Sequence, residues 1–276
     1  RSTQGVSSAA SDVYKRQVNY SKEFPDRFFD VGIAEAHAVT FSAGLATEKI
    51  RPIVAIYSTF LQRAYDQIIH DVAIQHLPVI FCMDRAGIAG EDGPTHHGAL
   101  DIAYLKCIQG MIVSAPKDGN EFRHLLYTAL EQNDRPFGIR YPKSSSLHFD
   151  ENGQAELLPI GSWETLKTGN DIAILAVGSM VHPALMAAKK LEQQDISCEV
   201  VNCRFIKPID LQCLKNLASR FTSFLVVEEG VRTGGFGEGV SSFLSEHSRD
   251  NKVQCLSLPD SFVDHGPVSY THLRAH

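Results

Sequence analysis

Apolar residues in this chain fall into short continuous runs, separated by stretches where they recur every three or four positions. Runs 52–57, 78–83, 111–115 and 136–141 are nearly all apolar and predict strands buried on both faces. A short run from Phe28 to Val31 predicts another strand, closed by a turn at Gly32. Ala34, Ala38, Phe41 and Leu45 form one helical stripe; Leu61, Ala64, Tyr65, Ile68 and Val72 form a second, over 61–75. Asp118-Gly119-Asn120-Glu121 has the pattern of a capping box and opens a helix ending near Gln132.

The alternation stops over 142–160, a stretch without clear periodicity that contains Lys143-Ser144-Ser145-Ser146 and is read as a linker. It then resumes. Strands are expected at 171–177, 196–202, 222–228 and 252–258, with helices at 181–194, 209–220 and from the glycines at 234–239 to about 245. Strands alternating with helices at this spacing predict parallel sheets with right-handed crossovers. The expected architecture is α/β, with one domain over 18–141 and another over 161–267.

The two ends stand apart. Residues 1–17 are rich in Ser and Ala and lack both a helical pattern and a signal-peptide core; 268–276 also break from the preceding domain. Both are expected to be non-native or disordered tails outside the fold. The 276 residues, 43% of them hydrophobic, suffice for two α/β cores. A net charge of −6 leaves no basic stripe to neutralise phosphates, so nucleic-acid and membrane-surface roles are excluded as expectations. Six cysteines lie scattered without a C-x-x-C pair and read as reduced thiols of a cytosolic protein.

Ligands of open α/β sheets collect beyond the carboxyl ends of the strands. Three such ends carry candidate chemistry: the turn before Glu35, the segment from Tyr57 to Arg63, and the polar loop 84–98. Glu35 opens a helix, where a carboxylate is often mere complement to the helix dipole. Its neighbours Ile33, Ala34 and Ala36 are apolar, and such a setting keeps a proton available for donation. Phe60 is by base rate a core aromatic. Arg63, Arg85 and Arg140 are ordinary arginines singly, but together they suit a forked phosphate clamp. His96-His97 and nearby acids invite a zinc reading, yet no further ligands stand at metal-site spacing. Gly234-Gly235-Phe236-Gly237-Glu238-Gly239 lacks the G-x-G-x-x-G spacing and is read as structural.

Gly32-Ile33-Ala34-Glu35, the segment from Tyr57-Ser58-Thr59-Phe60 to Asp66-Gln67, Asp84-Arg85-Ala86-Gly87 and Glu91-Asp92-Gly93-Pro94-Thr95-His96 closely resemble the 1-deoxy-D-xylulose-5-phosphate synthase family of the transketolase group. The likeness runs in order from about Val18 to Pro267. It implies two three-layer α/β/α domains, one binding the pyrimidine of thiamine diphosphate and one a transketolase C-terminal domain. It implies that pyruvate and glyceraldehyde 3-phosphate condense with loss of carbon dioxide to give 1-deoxy-D-xylulose 5-phosphate.

By the same resemblance, Glu35 hydrogen-bonds the cofactor's pyrimidine ring, Phe60 stacks on it, and Ile33 lies beside it. His96 and Asp92 lie over the substrate; Arg85 and Arg140 hold its phosphate, and Tyr57 and Arg63 line the approach. The family commonly has Gln at the position of His97, which is given no role. The Mg2+ ligands of the diphosphate-binding half, the first strand and helix of the pyrimidine domain, and the last C-terminal helix are expected to be missing. The chain alone is then expected to be inactive, its full-length enzyme to be a homodimer, and its location cytoplasmic, or plastid stroma for a plant or alga. The alternatives are a transketolase, a 2-oxoacid dehydrogenase β-subunit, or a non-catalytic regulatory or assembly module.

Overall fold

The protein is seen in a computed structural model that describes residues 3–7, 14–143, 149–247 and 250–266. In the first domain the elements run β1 (Thr3–Ser7), α1 (Tyr14–Glu23), β2 (Phe28–Asp30), α2 (Glu35–Thr47) and β3 (Arg51–Tyr57). A helical run over 58–73 follows, with α3 (Ser58–Leu61), a 3-10 turn, α4 (Tyr65–Gln67) and a π-helical stretch Ile68–Ala73. Then come β4 (Ile80–Asp84), α5 (Asp101–Lys106), β5 (Ile112–Ser114), α6 (Gly119–Glu131) and β6 (Phe137–Arg140). The second domain holds β7 (Glu164–Lys167), β8 (Ile172–Ala176), α7 (Val181–Glu192), β9 (Cys198–Asn202), β10 (Phe205–Lys207), α8 (Leu211–Arg220), β11 (Ser223–Val231), α9 (Phe236–His247) and β12 (Lys252–Leu258).

Two sheets result. The first has the order β10-β5-β6-β4-β3-β1-β2 and the second β12-β11-β8-β9-β7. Pairing is parallel except at one edge of each, where β10 runs against β5 and β7 against β9. Successive residues of the central strands face opposite layers, as the period of two requires. Val54, Ile56, Phe81 and Met83 join one core, while Ile80, Cys82, Phe137 and Ile139 meet Leu125 and Ala129 of α6 in another. In the second sheet Ala173, Leu175 and Val226 pack on Leu214, Leu217, Val240 and Leu244. Ile174, Ala176 and Val200 pack on Val181, Ala184 and Ala188 of α7. Both sheets are therefore covered on both faces, as three-layer α/β/α units require.

The expectation that 1–17 lies outside the fold is corrected. Residues 3–7 form a strand inserted between β2 and β3, with Gly5 opposite both Phe28 and Ile53, and α1 begins at Tyr14. The first strand and helix are thus not missing. A slot in a parallel sheet is filled through backbone hydrogen bonds, which a five-residue polar strand makes without leaving an apolar pattern. Residues 1–2, 8–13 and the expected tail at 268–276 fall outside the described residues. The helix predicted over 61–75 starts three residues earlier, at Ser58, because Tyr57 ends β3 directly against it. The short elements α5, β7 and β10 are unannounced by periodicity.

The domains share their interior. β10 belongs to the second domain by sequence but pairs with β5 at the edge of the first sheet. Trp163 donates its indole N–H to the Phe205 carbonyl at 2.8 Å and packs on Phe236, inside a core that also holds Ile102 and Leu105. Beside it lies a polar knot. The fully buried Asn202 amide donates to Glu121 Oε1 at 2.7 Å and to Glu164 Oε2 at 3.3 Å. Lys117 Nζ reaches the same two carboxylates at 3.3 and 2.9 Å. Burial pushes the Glu164 carboxyl up, but Lys117, Asn202 and Arg204 more than offset it and hold it below its ordinary value.

Asn202→Leu removes a donor from Glu121, which is 2% exposed, without opening a large cavity. It is expected to cost about 1–3 kcal/mol, the usual penalty for stripping a buried acceptor. A lowered urea midpoint would report it, whereas an unchanged midpoint would mean that Lys117 and Arg204 satisfy the carboxylates alone.

Candidate active site

The carboxyl ends of three neighbouring strands define the cleft. Tyr57 at the end of β3 lies opposite Asp84, and Met83 of β4 lies opposite Arg140 at the end of β6. Tyr57, Arg85 and Arg140 are therefore brought together by sheet register. Glu35 enters from the far side, where Gly32, at φ +65, turns the chain after β2 into the first residue of α2. A left-handed φ of this kind is the reason for glycine there.

Glu35 is 3% exposed, and Arg63 donates to its Oε1 at 3.0 Å. The carboxyl is thus buried as the sequence suggests, but beside a cation as well as apolar neighbours. The Arg63 guanidinium also lies 4.8 Å from the centre of the Phe60 ring, while Phe60 stacks on Tyr57 at 5.6 Å and meets His96 edge-on at 5.3 Å. Glu35, Phe60, Arg63 and His96 consequently form one continuous wall. Ile33, cast as a cofactor neighbour, is 77% exposed.

The loop between Asp84 and Gly98 closes upon itself. Gly87 and Gly98 exchange both backbone hydrogen bonds, at 2.9 and 2.7 Å. A side chain at Gly98 would sit 2.5 Å from the Arg85 carbonyl and from Ser58 Oγ, so only glycine fits this crossing. Arg85 donates to Asp84 at 2.8 Å and to Asp92 at 3.4 Å, and its guanidinium lies 3.8 Å from the centre of the Tyr57 ring. Asp92 also accepts from Lys143 at 2.7 Å. Burial pushes the Asp92 carboxyl up, but the two cations outweigh it and hold it below its ordinary value. The His96 ring nitrogen Nδ1 shares a 2.9 Å hydrogen bond with Thr95.

Arg140 does not open toward the cleft in the same way. It is 3% exposed, donates to Asp101 at 2.8 Å and binds the carbonyl of Glu229 at 3.0 Å. The three arginines grouped as a clamp therefore occupy distinct settings: Arg63 on Glu35, Arg85 on the acidic pair, and Arg140 inside the domain junction.

Sequence reasoning gave no site role to Asp101, Lys143, His97 or Glu229. Lys143 lay in the presumed linker, although its place three residues after Arg140 at a strand end was a usable signal. Glu229 reaches in from the second domain: its carboxylate accepts from Ile88 N at 3.2 Å and from Ser179 Oγ at 2.7 Å. Its neighbour Glu228 instead caps α9 through the N–H groups of Phe236 and Gly237, both at 2.8 Å. Burial raises the Glu228 carboxyl despite those donors.

A buried carboxylate beside a half-buried aromatic suits a flat, polar heterocycle that can both hydrogen-bond and stack, as a pyrimidine ring can. Among the described residues, no group of three His, Cys, Asp or Glu could hold a metal ion.

The two domains have known counterparts. The profile of the transketolase pyrimidine-binding domain matches residues 2–147, and that of the transketolase C-terminal domain matches 161–274. The chain is 52% identical over 249 residues to the 1-deoxy-D-xylulose-5-phosphate synthase of Aquifex aeolicus, covering 90% of this chain and 39% of that protein. It is 53% identical over 250 residues to the synthase of Magnetococcus marinus, covering 90% and 40%. The chain thus spans about two fifths of the length of these curated relatives. Among solved structures, a split-gene transketolase, described as an inactive beta4 tetramer, superposes with a TM-score of 0.84 at 30% identity. That match covers 94% of this chain and 83% of the other. A transketolase from Pichia stipitis shares the fold at a TM-score of 0.75 and 19% identity, covering 99% of this chain and 40% of the other. With a domain profile matched over more than half its residues, and a transketolase chain covered to 83% at 30% identity, the chain belongs to the transketolase family.

Proposed function

We propose that this chain serves a 1-deoxy-D-xylulose-5-phosphate synthase, condensing pyruvate with glyceraldehyde 3-phosphate and releasing carbon dioxide. The observation that carries the reading is the buried Glu35 carboxyl at the start of α2, walled by Phe60, Arg63 and His96. Identity of about half the aligned residues to named synthases supports the choice within the family.

Thiamine diphosphate, when bound, supplies the electron sink for decarboxylating a 2-oxo acid. Glu35 would hold its pyrimidine ring by a hydrogen bond, oriented by Arg63. Phe60 would offer the ring an aromatic face, and Ile33 an apolar edge. His96, fixed through Thr95, is placed to donate a proton to an oxygen that becomes negative during carbon–carbon bond formation. Asp92 stays ionised beside Arg85 and Lys143, and so holds the cationic side of the cleft in place. Arg85, at the end of β4, is the proposed phosphate contact, with Tyr57 and Arg63 along the approach; Arg140, enclosed in the domain junction, would act on the phosphate only through the strand end that it holds.

The Mg2+ ligands are proposed to lie outside these residues, and the working enzyme to be a cytoplasmic homodimer. Six free cysteines suit a reducing compartment, and among the described residues no helix is long and apolar enough to cross a membrane. A second reading, transketolase divided between two chains, draws on the split-gene match. Its 30% identity against 52% for a synthase favours the first.

Glu35→Gln keeps the shape of the side chain and removes its acid. In enzyme carrying the whole cofactor site it is expected to lower kcat by about 10²–10⁴-fold, the range for lost acid–base assistance. Turnover at the parent rate would remove Glu35 from catalysis. Arg85→Lys replaces a fork with a point charge. Steady-state kinetics are expected to show the KM for the phosphorylated aldehyde rising more than the KM for pyruvate, and equal rises would dismiss the phosphate assignment.

A further inference from the structure

His97 is a buried ionisable group that the proposed chemistry leaves unused. Only 8% of it is exposed, and its Nδ1 accepts the backbone N–H of Ala89 at 2.9 Å. A backbone amide can only donate, so the neutral ring carries its proton on Nε2. That Nε2 is buried with no well-formed hydrogen bond, and the backbone of Asp264 and Val263 lies close to the ring. The ring therefore sits between two pieces of chain: the loop 84–98 and the segment 259–266, which follows β12.

Other contacts join the same two pieces. Gly266 N donates to the Gly90 carbonyl at 3.3 Å. Ile88 and Leu258 form a small apolar cluster with Ala99 and Val263. A side chain at Gly93 would approach His265 Cβ to 3.1 Å. Asp92 and His96, the loop's proposed substrate groups, lie within this clasped region.

We propose that His97 is a positioning residue: its neutral ring pins Ala89 and holds the loop carrying Asp92 and His96 against segment 259–266, and protonation of the ring releases the loop. A protonated imidazole has no lone pair, so N–H would meet N–H and the Ala89 donor would lose its acceptor inside the protein. The backbone of Asp264 and Val263, and after it the charges of Glu229 and Asp92, favour the charged form, while Asp264 and His265 stand exposed on the clasping segment. Burial opposes protonation and prevails, holding the ring below its ordinary value of 6.5. The linkage sign follows. The clasp is intact above 6.5, weakens as pH falls below it, and is lost as pH falls through the depressed value. That this loop covers the substrate rests on the proposed function; the clasp itself does not.

The test measures hydrogen exchange over residues 86–98 of this chain between about pH 5 and 8, corrected for intrinsic exchange rates. His97→Gln offers a carbonyl acceptor that does not titrate, and His97→Leu offers none. The parent is expected to lose about tenfold in protection at Ala89 on acidification. H97Q is expected to stay level, and H97L to be unprotected throughout. Parallel acid losses in the parent and H97Q would overturn the proposal, as would full protection in H97L at neutral pH. Nitrogen NMR of the His97 ring gives a second reading that needs no substitution: a proton on Nε2 supports the clasp, and one on Nδ1 at neutral pH refutes it. Since no turnover is measured, a failed clasp and a failed synthase assignment remain distinguishable.

Discussion

One guanidinium sets the frame for the cleft. Arg140, at the end of β6, is ion-paired to Asp101 at the head of α5 and bonded to the backbone of Glu229 on β11. It is buried with its partner, whose side chain is fully enclosed, so neither group has water as an alternative. A buried pair of this kind is weak evidence for stability in itself, because desolvation consumes much of the attraction. Its value lies in geometry. Moving any of the three segments leaves a charge or a carbonyl unpaired in the interior, and the domains are held in a single relative position at the strand ends.

The loop 84–98 inherits that fixed position. Left to itself, a loop of this length and polarity would sample many conformations at considerable entropic cost. Here it is closed at its base by the Gly87–Gly98 exchange, and the second domain grips it from the side through Glu229 on Ile88 N. Gly87 has φ +80, and a Cβ there would fall 2.5 Å from the Glu229 carboxylate. The close approach of that carboxylate and the absence of a side chain are one design. The cleft is thus built by two domains, though its proposed chemistry comes from the first.

Much of this was legible in the sequence, for identifiable reasons. Fully buried strands such as β4 and β8 announce themselves because both faces need apolar residues. The capping residue Asp118 accepts from Glu121 N at 2.8 Å, as its pattern suggested. Strand ends converge because a parallel sheet puts all its carboxyl ends on one side, and sheet register sets the ends of β3, β4 and β6 side by side. What the chain hid was whatever depends on tertiary partners. β1 is held by backbone pairing, β10 is three residues long, and the placement of Arg63 on Glu35 crosses 28 positions of sequence. The arginines illustrate the limit best. Sequence pattern grouped three cations by their segments, while burial and partner choice gave each a different setting.

Glu228 and Glu229 show how the two domains communicate. Adjacent residues of a strand point to opposite sides, so a single step along β11 sends one carboxylate to each neighbour. Glu228 caps the first N–H groups of α9, where negative charge complements the helix dipole. Lys106 at the end of α5 donates to the Gly235 carbonyl just before that helix, bringing α5 into the same junction. Glu229 turns the other way, to Ile88 and Ser179. Displacing α9 along its axis would pull on Glu228, and the strand would carry that shift to Glu229 and so to the loop. Rigidity at the cleft therefore originates partly outside the domain that carries Glu35. That dependence gives a physical reason for the C-terminal domain to accompany the pyrimidine-binding domain in this chain.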